Sequence, residues 1–105
     1  MNDHSEKLLT ISMADYLTLN GKSGKDFTVV GVEHSDRHRV WSGATLPSIN
    51  LLEKRVRSEF LEKLPPNTVA VLSVQKFVEE IPSGFFSEGL QFVCYRGTAL
   101  VAKTD

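Results

Sequence analysis

The sequence predicts an α+β domain, a two-layer, mostly antiparallel β-sheet packed on one long helix, and three observations predict it. Residues 47–64 place Ile49, Leu52, Val56, Phe60 and Leu64 at steps of three and four, a single apolar stripe at helical period. On both sides of that segment lie β-branched and aromatic runs, at 27–33 and 68–74. The last two such runs are joined by a turn too short for a crossover, so they must pair antiparallel. The element order is β-α-β-β-α-β-β, within one domain covering residues 1–105.

Residues 7–12 read as a short strand. Ser12 then precedes Met13, Ala14 and Asp15, so its hydroxyl can accept an unpaired N–H at a helix start. Met13, Tyr16 and Leu17 share one face of a helix of about two turns, and Asn20-Gly21 stops it. After a polar loop at 22–26, the strand at 27–33 is broken by His34, Ser35, Asp36 and Arg37, and 38–42 returns as a hairpin partner.

Pro47 suits the first turn of the long helix, with Thr45 or Ser48 as its cap. Glu53–Arg57, Arg55–Glu59 and Glu59–Lys63 are opposite charges four apart on its outer surface, and Pro65-Pro66 ends it. Residues 68–74 are apolar on both faces, as a central strand requires, and 75–81 become mixed. Residues 82–89 turn the chain. The final strand, 90–102, contains Gly97, which marks a bulge or a close backbone approach.

Composition narrows the function. Of 105 residues, 41% are apolar and 24% charged, which is ordinary for a folded chain. Twelve basic and 13 acidic side chains leave a net charge of −1, so binding to nucleic acid through many phosphates is disfavoured. One cysteine excludes a disulfide framework and a multi-cysteine zinc site. Acids among the first seven residues and the short apolar stretch after them do not make a secretory leader, and no run reaches the ~18 apolar residues of a spanning helix. The expectation is a cytoplasmic protein that engages no membrane.

Four groups of residues invite chemistry. Gly21-Lys22-Ser23-Gly24-Lys25-Asp26 lacks the upstream glycine of a phosphate-binding loop and puts Asp26 where a hydroxyl belongs. His34, Asp36 and His38 are the densest potential metal ligands. In a strand, however, residues four apart stand ~13 Å apart, so only a tight turn converges the two imidazoles. Cys94 has only Arg96 nearby on its own strand face to lower its pKa, and reads as a small buried hydrophobe unless one of those histidines approaches it. Glu79 and Glu80 are neighbours on a strand and point to opposite faces, so they are no catalytic dyad. No cofactor is expected.

Leu51 and Leu61 lie off the helix stripe, and Phe85-Phe86 occupy a turn where water would be met. Such leftover apolar surface points to a homo-oligomer. The arrangement of the second half points the same way. The charged helix, the run Asn67-Thr68-Val69-Ala70-Val71-Leu72-Ser73-Val74 and the closing Tyr95-Arg96-Gly97-Thr98-Ala99-Leu100-Val101-Ala102 together resemble the small YbjQ-type proteins, described as heavy-metal-binding domains. The resemblance covers about residues 27–103. Trp41 to Pro47 and Pro65-Pro66-Asn67-Thr68 depart from that family's pattern, and no ligand residue carries across. The resemblance implies a β-sheet domain that assembles into a ring-like homo-oligomer with no established enzymatic role.

The reading is therefore a small non-enzymatic, homo-oligomerising domain that binds a small ligand or metal, if any, at a subunit junction. A single-stranded nucleic-acid-binding module is the first alternative, with Phe27, Trp41, Phe77, Phe92 and Tyr95 as stacking groups. A small enzyme pairing Cys94 with His34 or His38 is the second.

Overall fold

Ser12 opens the first helix as its sequence position suggests: its hydroxyl accepts the Asp15 N–H at 3.2 Å, and α1 runs Met13–Asn20. Gly21 closes it in the left-handed region at φ 61°, donating its N–H back to the last turn. The computed structural model describes residues 8–21 and 24–103. The expected strand at 7–12 extends past this boundary. Within it, Leu8 forms one parallel bridge to Val71, and Ser73 and Val74 donate N–H groups to Ile11 and Leu9. The 22–26 loop is described only at Gly24–Asp26, a single 3-10 turn.

The strand β1 spans Phe27–Val40 without interruption, which corrects the expected hairpin break at 34–37. The physical reason lies in its partner. β3 (Gly89–Ala102) offers a continuous antiparallel ladder, in which His34, Ser35, Asp36 and Arg37 stand opposite Tyr95, Cys94, Val93 and Phe92. Backbone pairing is indifferent to side-chain polarity, so a polar run stays in the strand when a partner edge is there to receive it. Two expected strands thus merge into one.

Helix α2 spans Ile49–Glu62, with the Ser48 hydroxyl accepting the Asn50 N–H. Pro47 therefore lies just outside the helix instead of in its first turn. Leu52, Val56 and Phe60 are buried, and each contributes roughly 1.5–3 kcal/mol of transfer free energy. They pack on Val71, Val93, Tyr95 and Ala99, with the Phe60 and Tyr95 rings 5.9 Å apart.

β2 spans Thr68–Ile81, and the sheet order is β1-β3-β2, antiparallel throughout. The central strand is β3, not the 68–74 run whose two apolar faces suggested it. The architecture is α+β, with a three-stranded sheet covered on one face by α2. A second buried cluster, Ala70, Leu72 and Leu100, packs against Met13 and Tyr16 of α1 and against Leu9, Ile11 and Phe27. That cluster covers only one end of the other face.

A register shift in β2 between Leu72 and Gln75, with Ser73 at φ 53°, decides what faces what. Ala70 and Leu72 face α1. After the extra residue the alternation flips, so Gln75, Phe77, Glu79 and Ile81 continue that face while Lys76, Val78 and Glu80 turn toward α2. Gly97 sits opposite this bulge, and the close approach expected there is found.

Candidate functional site

The sequence-derived metal ligands sit on the α2 side of β1, one pleat apart, opposite Tyr95, Val93 and Gln91. Each has a different neighbour. The Lys63 ammonium donates to His34 Nδ1 at 3.1 Å, which leaves the proton on Nε2, 3.6 Å from Glu59 Oε1. Asp36 accepts the Arg37 N–H at 2.8 Å and the Arg55 guanidinium at 2.9 Å. These donors hold its carboxyl below the usual range, the Arg37 N–H first among them.

His38 takes the opposite tautomer from His34. The Gln91 Nε2 donates to the Pro47 carbonyl at 2.6 Å, so its Oε1 is the acceptor and His38 Nδ1–H the donor, at 3.2 Å. With no tight turn to fold β1 back on itself, the three residues keep strand spacing and separate partners. Among the described residues, no three His, Cys, Asp or Glu side chains gather as metal ligands would.

The same face holds two polar clusters that the sequence did not announce. Gln91 is 1% exposed and, besides Pro47 and His38, reaches Glu80 at 3.3 Å, so it ties the entry to α2 onto both edge strands. Nearby, Glu53 Oε1 accepts from Lys76 at 2.8 Å and from the Tyr95 hydroxyl at 3.2 Å. The Lys76 hydrogen bond chiefly lowers the Glu53 pKa, and Glu53 in turn raises that of Lys76. Burial, then the Glu53 charge, raises that of Tyr95. Pairing across three elements carries no sequence signal, because Glu53, Lys76 and Tyr95 are remote along the chain.

Cys94 stands opposite Ser35 and Phe77, on the sheet face away from α2. Strand alternation puts His34 and His38 on the other side of the sheet, which corrects the Cys–His pairing considered above. The thiol is 7% exposed, and burial followed by the Glu33 charge pushes its pKa up. That is the opposite of what a nucleophilic thiol needs.

The face around Cys94 is the candidate site. Its rows are set by register: Arg39, Leu90 and Ile81; Arg37, Phe92 and Glu79; Ser35, Cys94 and Phe77; Glu33, Arg96 and Gln75. Phe77 and Ile81 are 44% and 45% exposed. The Arg96 guanidinium stacks 4.8 Å from the Phe77 ring centre and donates to Gln75 at 3.1 Å. Two shallow depressions of about 460 and 470 Å³ meet at Glu33 and Arg96 on this face. Of the aromatics considered for base stacking, Tyr95 is buried under α2, Phe27 packs beneath α1 and Trp41 lies beyond the end of β1. Phe77 and Phe92 share the open face.

The other leftover apolar groups are also where the sequence suggested. Leu51 is 68% exposed, and Phe85 and Phe86 are 86% and 93% exposed in an edge-on pair, whereas Leu61 is partly covered.

Comparison with known proteins gives no match among family models, curated proteins or solved structures.

Proposed function

We propose that this chain is a non-enzymatic homo-oligomerising domain whose open sheet face is covered by other copies of itself. One observation carries the reading. Beyond the α1 cluster, the face of β2 and β3 away from α2 presents Phe77, Ile81, Leu90 and Phe92, and among the described residues no second layer lies over them. A half-covered three-stranded sheet leaves apolar area in water that association removes. The resemblance to the YbjQ-type proteins supports assembly as well, and a junction of copies at Glu33 and Arg96, where the two depressions meet, is where a small ligand would sit. Among the described residues no helix is long and apolar enough to cross a membrane. The unpaired thiol of Cys94 fits a reducing compartment, and we assign the protein to the cytoplasm.

Sedimentation equilibrium of the full chain tests this reading. A mass that rises with concentration toward a multiple of 11.7 kDa supports it. A constant 11.7 kDa up to several hundred micromolar removes it.

A second reading rests on Arg37, Arg39 and Arg96 beside Phe77 and Phe92, a set able to stack and neutralise a single strand of nucleic acid. Glu33 and Glu79 on the same face oppose it. Unchanged fluorescence anisotropy of a labelled oligonucleotide at low salt disposes of it.

A further inference from the structure

We infer that two copies stack their open faces about a twofold axis parallel to β3, locked by reciprocal Arg37–Glu79 ion pairs on either side of a central Phe92 contact; this rests on the self-association reading above. Arg37 of β1 and Glu79 of β2 stand opposite the same residue, Phe92, from its two sides. Both charged side chains are exposed, and among the described residues neither forms an ion pair. Two strand spacings put them ~10 Å apart with Phe92 standing between them, and the two side chains rise side by side from the same face instead of toward each other.

Charge placement then selects the symmetry. Stacking two identical faces about an axis across the strands would put Arg37 on Arg37 and Glu79 on Glu79. An axis along β3 exchanges the edges of the sheet, so β1 of one copy lies over β2 of the other. Arg37 then meets Glu79 twice, and Phe92 meets Phe92 on the axis. Sheets stacked ~10 Å apart leave room for an arginine and a glutamate reaching toward each other. The usual crossing of about 30° between packed sheets displaces groups one strand from the axis by only a few Å. The row of Leu90 and Ile81 extends the apolar contact. In the Arg96 row, each Arg96 approaches its own copy with a Glu33 from either side to balance it.

The face is modest. Three strands across and about eight residues along present roughly 400 Å² per copy, which places the pair at the weak end of specific interfaces. The expected dimer is therefore concentration-dependent, and charge variants should shift it strongly.

The experiment uses the full chain and three samples: Arg37→Glu, Glu79→Arg, and their equimolar mixture, one variant carrying a mass tag. Both positions are exposed, and circular dichroism checks that each variant keeps the fold. Alone, each variant sets like charges against each other and should weaken dimerisation by about tenfold or more. Mixed, a copy with two acids meets a copy with two arginines, and a dimer of one of each should form. A wild-type chain that stays monomeric overturns self-association itself. A wild-type oligomer indifferent to both variants overturns only the axis, as does a mixture that fails to re-form the dimer.

Discussion

Gly97 and Val71 lie so close that a Cβ on Gly97 would come within 2.8 Å of Val71 Cγ1 and within 3.0 Å of the Leu72 carbonyl oxygen. The contact falls where β2 bulges at Ser73, so the bulge that turns Phe77 onto the open face closes over a position of β3 that carries no side chain. Gly97→Ala must push that backbone away. The expected cost is about 1–3 kcal/mol by overpacking, read as a lower denaturation midpoint in urea. An unchanged midpoint would mean the bulge yields freely.

Gln91→Met keeps the volume and removes the polar tip that serves Pro47, His38 and Glu80. The Pro47 carbonyl loses its donor, and about 1–3 kcal/mol of stability should go with it. Urea denaturation measures the loss, and hydrogen exchange should localise it to the first turn of α2.

Phe60→Ala opens a cavity between α2 and the sheet, where Phe60 is 1% exposed and its ring leans on Tyr95. A loss of about 3–5 kcal/mol is expected, enough to unfold a marginal domain. A loss below about 1 kcal/mol would mean that α2 is not what seals this face.

Acid should destabilise the fold through Glu53 and Asp36. Both carboxyls are held below their ordinary values, near 4.5 and 3.8, by the Lys76 hydrogen bond and by the Arg37 N–H. A depressed folded pKa gives stability that is whole above the unfolded value and lost as pH falls through the folded one. Thermal midpoints should thus be level around neutrality and fall below about pH 4.5. Glu53→Gln should flatten part of that fall. Because Lys76 is 45% exposed, salt should soften the effect.

Cys94 should resist alkylation in the native state. Burial and Glu33 raise its pKa, so at mildly alkaline pH a thiol reagent should react far more slowly than after denaturation. Equal rates in the two states would reopen the thiol-enzyme reading.

Local chemistry was legible in the chain itself. Ser12 and Gly21 bound a helix because a hydroxyl accepts a free N–H and glycine tolerates positive φ, and both act within a few residues. The stripe Leu52, Val56 and Phe60 announced the buried face of α2 for the same reason, since helical period is written in one segment. The surplus apolar groups Leu51, Phe85 and Phe86 were visible too, because a pattern with a fixed period shows what falls outside it.

What only tertiary structure decided depends on partners remote in sequence. The polar run at His34–Arg37 became strand because β3 lies alongside it. His34, Asp36 and His38 acquired Lys63, Arg55 and Gln91 as neighbours instead of one another. The bulge at Ser73 carried Phe77 to the side of the sheet away from α2, and register alone set Arg37 and Glu79 about Phe92. Periodicity says that a strand has two faces. Which of them meets the helix is fixed by pairing and by the energy of packing, and neither is encoded in any one segment.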